Sequence, residues 1–216
     1  PTSRYFSKNH RSFLWIDDVI LVIDDVCSHE DGTFSLLFHP DGVSRKNGID
    51  LSVVNQQAAV DIRPLWPDYL TESDFEHDFP YNLKLKAHQG PKAKKTDEME
   101  TYYSVTYPIK AQSVKFITAI ILKDSPTSKN IPQVTRLKGD DLQGVRIAKG
   151  DKITDVYLNT RADGHIMHRN SCTNVNGWDT DAYLLAFSYK KGTDPAVSKN
   201  ILEWFIGYGS YVRNAH

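Results

Sequence analysis

The residues best suited to chemistry in this sequence are aromatic and basic side chains gathered between positions 66 and 101. Flat aromatic faces can stack on the C–H faces of a sugar, and lysines can pair with carboxylate or sulfate groups. The same rings could instead staple a long loop onto the protein, and the lysines could simply be solvated. The candidate sugar-binding residues are Trp66, Tyr69, His77, Tyr81, Lys92, Lys94 and Lys95.

A few other side chains could bind a metal ion. His165 and His168 are three residues apart, and in a strand such residues point to opposite faces, so no metal site is predicted there. The segments 29–32 and 179–181 carry carboxylates that could offer oxygens to Ca²⁺, although solvated turn residues at strand ends are the simpler explanation. We expect no cofactor, and a structural Ca²⁺ or other divalent ion remains open.

Motifs for nucleophilic catalysis and for phosphate binding do not occur in the sequence. It contains no Gly-x-Ser-x-Gly segment, and no Gly-rich loop precedes a helix pattern. The two cysteines, Cys27 and Cys172, do not lie at recognisable strand-to-helix turns. They could form a disulfide or remain thiols, and both alternatives stay open. No catalytic residue is therefore predicted.

The elements that must position these side chains are strands. Short apolar or alternating segments recur along the chain, as at 13–16 and 19–23, which flank a two-residue Asp17-Asp18 turn. About a dozen such segments, separated by turn residues, are typical of an all-β fold with few or no helices. We predict a large antiparallel two-sheet β-sandwich that forms a single domain over residues 1–216. Trp15, Trp178 and Trp204 fall in strand or turn contexts and are predicted to be core.

One stretch departs from the strand pattern. Residues 66–101 contain Pro67, Pro80, Gly90 and Pro91 together with scattered aromatics. We predict a long irregular excursion from the sheet, because loops of this length in compact domains are usually functional or disordered.

Charge and hydropathy exclude two classes of partner. The chain has 26 basic and 27 acidic residues and a net charge of −1, so no long-range field would gather nucleic acid or an anionic membrane. No apolar run approaches the 18 residues or so that a membrane span requires.

Five segments resemble the C-terminal part of the heparinase II/III-type polysaccharide lyases. In the first half, His10-Arg11-Ser12-Phe13-Leu14-Trp15-Ile16 precedes Ile20-Leu21-Val22-Ile23-Asp24-Asp25-Val26, and a strand ending in a histidine, Phe34-Ser35-Leu36-Leu37-Phe38-His39, follows. Near the other end, Gly177-Trp178-Asp179-Thr180-Asp181-Ala182 and Phe205-Ile206-Gly207-Tyr208-Gly209-Ser210-Tyr211-Val212-Arg213 are similar to late strands of that family.

The resemblance implies a particular architecture and activity. Members pair an N-terminal (α/α) toroid with a β-sandwich and cleave uronic-acid polysaccharides, such as glycosaminoglycans or alginate-like polymers, by β-elimination. A tyrosine or histidine acts there as base and acid, while the substrate carboxylate is neutralised. These groups come from the toroid and from a His-rich segment that this sequence lacks. No catalytic residue is carried over, and His10 and Arg11 match positions with a structural role.

Two functions follow from these observations. In the first, the chain is the accessory sandwich of a secreted or periplasmic lyase, inactive alone, whose partners are the toroid of the same protein and an acidic polysaccharide. In the second, it is a carbohydrate-binding module without catalysis, which the aromatic and lysine-bearing stretch favours. Micromolar affinity that is lost in Trp66→Ala and Tyr69→Ala would favour the module. A sandwich that only mediates protein contacts is a third alternative, and a large bare apolar patch would indicate it.

Overall fold

The chain separates into two compact units, Pro1–Ile131 and Pro132–His216, where the sequence predicted one domain. The structure is a computed structural model that describes residues 4–56, 58–67, 83–92, 95–139, 142–162 and 172–214. Apart from one 3-10 turn at Ser198–Asn200, the regular elements of the described residues are β-strands in antiparallel sheets. The predicted all-β fold class is confirmed. Each unit has its own sheets and core, a division that evenly spaced strand patterns do not reveal.

The first unit contains one seven-stranded antiparallel sheet. Its order is β1-β2-β7-β5-β4-β3, and β6 pairs with β7 as well. Its strands are β1 (Phe6–Ile16), β2 (Val19–Phe38), β3 (Val43–Asn47), β4 (Asp50–Asn55), β5 (Ala58–Trp66), β6 (Lys84–Lys92) and β7 (Lys95–Lys123). The Asp17-Asp18 turn predicted between the first two strands is confirmed, with Asp17 in the left-handed region at φ 49°.

The long strands β2 and β7 each serve two portions of this sheet. Residues 19–27 of β2 pair with 113–121 of β7, and after a register shift around Gly32, residues 34–38 pair with 103–107. The first portion continues into β1 and β5, and the second continues into β6. The segment 29–32, predicted as a turn, is therefore the irregular middle of a continuous strand.

The sheet folds over so that its two portions enclose one core. The core cluster joins buried residues of β4, such as Leu51, to buried residues of β6 and of the second portion, such as Leu85 and Val105. Two hydrogen bonds join the same regions: the Ser44 hydroxyl lies 2.7 Å from the Tyr103 hydroxyl, and Lys46 Nζ donates to the Leu85 carbonyl oxygen.

The predicted irregular excursion over 66–101 is wrong for most of its described part. Residues 84–92 form β6, and 95–101 begin β7. The prediction treated Gly90 and Pro91 as breaks. They lie in β6, which among the described residues pairs only with β7, and a proline in a sheet is found at edge strands or irregular positions; here the ladder shifts register directly after Pro91.

The second unit contains two antiparallel sheets. A five-stranded sheet has the order β14-β13-β10-β9-β8, and a three-stranded sheet has the order β11-β12-β15. A core that combines residues of both sheets, such as Phe187 of the first and Val175 of the second, shows that the two sheets pack face to face. The strands are β8 (Gln133–Gly139), β9 (Leu142–Lys149), β10 (Lys152–Asn159), β11 (Thr173–Val175), β12 (Trp178–Thr180), β13 (Leu184–Lys190), β14 (Ile201–Gly207) and β15 (Val212–Asn214).

Candidate functional site

The tryptophan predicted to bind sugar lies in the core. Trp66 ends β5, pairs with Ile117 of β7 and is only 5% exposed, so its prediction as a binding platform is wrong. The physical reason is that β5 continues into the interior up to its last residue, and Leu65 is also buried. Its burial agrees with the alternative interpretation, in which the aromatic rings pack into the protein instead of binding a ligand.

The other predicted binding residues are described only in part. Lys92 is exposed at the end of β6, where its Nζ lies 3.3 Å from Glu98 Oε2. Lys95 begins β7, but its side chain is outside what the structure describes. Tyr69, His77, Tyr81 and Lys94 lie outside the described residues, as do His165 and His168.

A row of basic side chains lies on the outer face of β6, within the segment where sugar binding was predicted. Residues alternate between the two faces of a strand, and Leu83 and Leu85 are buried in the core. Lys84, Lys86 and His88 therefore share the opposite face, and Lys86 is exposed. Their register partners on β7 are Thr106, Ser104 and Tyr102.

Tyr102 lies at the centre of a stack of three rings on this face. Its ring centroid is 4.9 Å from that of His88 and 5.1 Å from that of His39, with interplanar angles of 17° and 11°. His39 directly follows β2, and β7 lies between β2 and β6, so three neighbouring strands each place one ring. Gly90 leaves room for the central ring, because a Cβ there would come within 3.0 Å of Tyr102 Cε1.

Hydrogen bonds fix the two outer rings of the stack. His88 Nε2 lies 2.8 Å from Ser104 Oγ, and His39 Nδ1 lies 3.2 Å from Glu100 Oε1. The His39 side chain is half exposed. The row on β6 and the ring stack together form what we call the ring–lysine surface: His39, Lys84, Lys86, His88 and Tyr102.

The ring–lysine surface can hold an anion at its two lysines, while the Tyr102 ring, whose two faces are covered by His39 and His88, presents only its edge. The two ammonium groups can donate charge-assisted hydrogen bonds to an anion, which are about twice as strong as neutral ones. Sequence reasoning did not single out His39, Lys84, Lys86 or Tyr102 as binding residues, although His88 lies in the stretch where sugar binding was predicted. The alternation of Leu83 and Leu85 with Lys84, Lys86 and His88 is the pattern that could have revealed the row.

A second exposed set of side chains lies on β1. Trp15 is 69% exposed and Phe13 is 67% exposed, so the prediction that Trp15 is core is wrong. The reason is that β1 is the edge of the sheet, and the buried residues of the core cluster lie on other strands, with only the partly buried Phe6 of β1 packed against them. Of the other two tryptophans predicted to be core, Trp178 is buried and Trp204 is 40% exposed.

In the second unit, Arg146 and Tyr189 form a hydrogen-bonded trio with the fully buried Asp155. The Arg146 guanidinium donates to both Asp155 oxygens, at 2.7 and 2.8 Å, and the Tyr189 hydroxyl donates to Oδ2 at 2.9 Å. Burial and the charge of Asp155 raise the pKa of Tyr189 to about 12, so its hydroxyl stays protonated at neutral pH. Burial likewise raises the pKa of Tyr157 on the same strand as Asp155. The trio is suited to holding the sheet together.

The segments that resemble the lyase family contact one another. In the first unit, Arg11 Nε donates to Asp24 Oδ1 at 2.6 Å, and Lys8 Nζ lies 2.7 Å from Asp25 Oδ2. Lys115 of β7 also donates to Asp25. The two aspartates that end the family-like strand thus each have a cation on a neighbouring strand.

In the second unit, the two late family-like segments meet at Asp181. Its Oδ1 accepts from the backbone nitrogens of Ser210 and Tyr211, at 2.8 and 3.1 Å, and its Oδ2 accepts from the Ser210 hydroxyl. The Thr180 hydroxyl donates to the Tyr211 carbonyl oxygen at 2.8 Å. The Asp181 carboxylate therefore holds the segment before β15 in place through these hydrogen bonds. Burial is the largest single influence and raises the pKa of Asp181. The hydrogen bonds from Ser210 and Tyr211 together outweigh it, so the pKa lies below its ordinary value.

The structure also addresses the metal, cysteine and membrane predictions. Within the described ranges, no group of three or more histidine, cysteine, aspartate or glutamate side chains could hold a metal ion. Cys27 and Cys172 are both free thiols. The part of the chain that the structure describes holds no helix with the length and apolarity that crossing a membrane requires.

Comparison with known proteins gives no assignment: no protein-family model and no curated protein matches the chain. The resemblance to heparinase II/III-type lyases therefore remains a prediction from sequence.

Proposed function

We propose that this chain is the β part of a heparinase II/III-like polysaccharide lyase and that it binds the acidic polysaccharide substrate through the ring–lysine surface. In this proposal it acts together with a toroid domain of the same secreted or periplasmic protein and does not cleave the polymer alone. The observation that carries the proposal is the row of Lys84, Lys86 and His88 beside the ring of Tyr102.

The chemistry of the surface fits a uronic-acid polymer. Such a polymer offers a carboxylate or sulfate on each repeat and an apolar C–H face on each ring. Side chains two apart on a strand are about 6.7 Å apart, so Lys84, Lys86 and His88 offer cationic or hydrogen-bonding groups at a regular spacing. The net charge of −1 means that attraction depends on this local cluster.

The contacts between the family-like segments also support the proposal. Among the residues that carry the resemblance, Arg11 contacts Asp24 within the first unit, and Ser210 contacts Asp181 within the second unit. A motif whose residues contact one another constrains a fold more tightly than scattered strand patterns do. The family-like residues have structural contacts, and the ring–lysine surface is separate from them except for His39.

Titration calorimetry with heparan sulfate and alginate oligosaccharides tests the binding role. Lys84→Gln/Lys86→Gln should weaken binding at least about tenfold, equivalent to about 1.4 kcal/mol. The matched control, Lys129→Gln/Lys199→Gln, removes two exposed lysines elsewhere and should bind like wild type. Equal affinity for both double variants would contradict the role of the surface.

The accessory role has its own test. The isolated chain, incubated with the same polymers, should give no rise in the ultraviolet absorbance of the unsaturated product. Turnover by this chain alone would refute the accessory role and would direct attention to Tyr102 and its two histidines as acid–base groups.

The alternative function, a carbohydrate-binding module without catalysis, is favoured by the same surface. The affinity of the isolated chain separates the two functions. A free-standing module should bind oligosaccharides in the micromolar range by itself, whereas the β part of a lyase, which would form only one side of the substrate groove, should bind more weakly alone.

A further inference from the structure

The outer face of β1 carries a stripe of exposed side chains that the ring–lysine surface does not use. Asn9, Arg11, Phe13 and Trp15 alternate along the strand, and all four are exposed. We call this set the β1 stripe. It extends over about 20 Å, since a strand rises about 3.3 Å per residue.

Two features of the stripe are held in place. The Trp15 indole nitrogen donates to the Asp17 carbonyl oxygen at 2.8 Å, which orients the ring on the turn that follows the strand. Arg11 donates to Asp24 through Nε, so the two terminal nitrogens of its guanidinium group take no part in that hydrogen bond. About half of the Arg11 side chain is exposed. The buried Asp24 carboxylate thus positions a guanidinium whose outer edge can pair with an anion.

The shape of the exposed surface indicates the kind of ligand. On β2, the neighbours that face the same side are the register partners of the four stripe residues; Val22, Asp24 and Val26 are buried, and Ile20, opposite Trp15, is half-buried. The exposed surface is therefore one strand wide. A stable protein interface takes roughly 800 Å² from each partner, which four residues in a single row do not supply. A narrow row of stacking and hydrogen-bonding groups fits an extended polymer.

We propose that the β1 stripe is a second binding site for an acidic polysaccharide, in which Phe13 and Trp15 stack on successive sugar rings and Arg11 pairs with a carboxylate or sulfate. This inference rests on the proposed function for the class of ligand, but it assigns a different site on the chain. The ring spacing of about 6.7 Å is of the same order as the length of one sugar unit.

Tryptophan fluorescence of the full chain, titrated with alginate oligosaccharides, tests the contact directly. Stacking on the exposed Trp15 should change the emission of wild type. Trp15→Phe keeps a ring and should retain binding by calorimetry while losing most of this change. An unaltered fluorescence response in Trp15→Phe would overturn the proposal.

Affinity measurements complete the test. Phe13→Ala/Trp15→Ala should weaken binding at least about tenfold, whereas Phe205→Ala, which removes a 44% exposed ring from β14, should have no effect. Arg11→Lys keeps a charge near Asp24 but loses the fork, and should weaken binding about threefold or more. Circular dichroism confirms that each variant is folded.

The outcomes separate this inference from the proposed function. Loss of binding in Lys84→Gln/Lys86→Gln but not in Phe13→Ala/Trp15→Ala would overturn the second site and leave the proposed function standing. No binding by wild type would refute both. A wild-type dimer in sedimentation that dissociates in Trp15→Ala would assign the stripe to a second copy of the chain and overturn the proposal.

Discussion

Replacing Arg146 with methionine would leave the Asp155 carboxylate in the interior of the second unit without its cation. Asp155 is fully buried and takes three hydrogen bonds, two from Arg146 and one from Tyr189. Removing one partner of a buried ion pair costs roughly 3–5 kcal/mol. The Arg146 side chain is 37% exposed, so water can reach part of the vacated space, and we expect a loss near the lower end, about 3 kcal/mol.

Hydrogen exchange read by mass spectrometry over residues 152–159 measures this loss within the second unit. The free energy of opening of β10 should fall by about 3 kcal/mol in Arg146→Met. Arg213→Met is the matched control, because Arg213 is 69% exposed and its Nε lies 3.7 Å from Asp179, and it should change stability by less than about 1 kcal/mol.

A double variant tests whether the loss of stability comes from the unpaired charge of Asp155. Arg146→Met/Asp155→Leu removes both charges, and a buried pair replaced by apolar side chains is often neutral or stabilising. It should therefore be more stable than Arg146→Met alone. A loss below about 1 kcal/mol in the single variant, or a double variant that is less stable than the single one, would refute the account of the trio.

Three further predictions follow from the described contacts. The raised pKa of Tyr189 means that folding favours its protonated form, so its contribution to stability is present below pH 10 and is lost as the pH rises through about 12. Tyr189→Phe should therefore reduce the loss of stability at alkaline pH, measured by urea denaturation at a series of pH values. Trp66→Ala should destabilise the first unit by about 3–5 kcal/mol, because it empties a core position, and should leave sugar affinity unchanged in conditions where the variant is folded. Asp181→Ala should remove the acceptor for Ser210 and Tyr211 and speed hydrogen exchange of these two amides, while exchange in β10 stays the same.

The all-β fold could be predicted from sequence because alternation and turn residues are local signals. The hairpin around Asp17-Asp18 depends only on neighbouring residues, and it is present. The two-unit division, by contrast, depends on which strands pair, and the order β1-β2-β7-β5-β4-β3 joins segments up to about 100 residues apart.

The roles of Trp15 and Trp66 show why the candidate site could not be predicted. Both rings sit in apolar strand segments, and in β1 the two alternating sets, Phe13 with Trp15 and Leu14 with Ile16, are equally apolar. Local alternation therefore gives no way to choose the buried face. The choice is made by sheet order, which leaves β1 at an edge and places the end of β5 against β7.

The ring stack poses the same difficulty in stronger form. His39 and Tyr102 are separated in sequence by about half of the first unit, and they meet only because β2 and β7 pair in a specific register after the shift around Gly32. A shift by one residue would move Tyr102 to the core face.

The continuity of β2 and β7 through both portions of the first sheet has a kinetic consequence. Their pairing closes loops of roughly 65 to 100 residues, and the entropy of closing such loops must be lost before the ladder forms, which makes folding slow. The short-range β1–β2 hairpin can form early, whereas the ladder that assembles the ring stack forms late. During synthesis, the exposed hairpin would wait for β7 to emerge before the first unit could close.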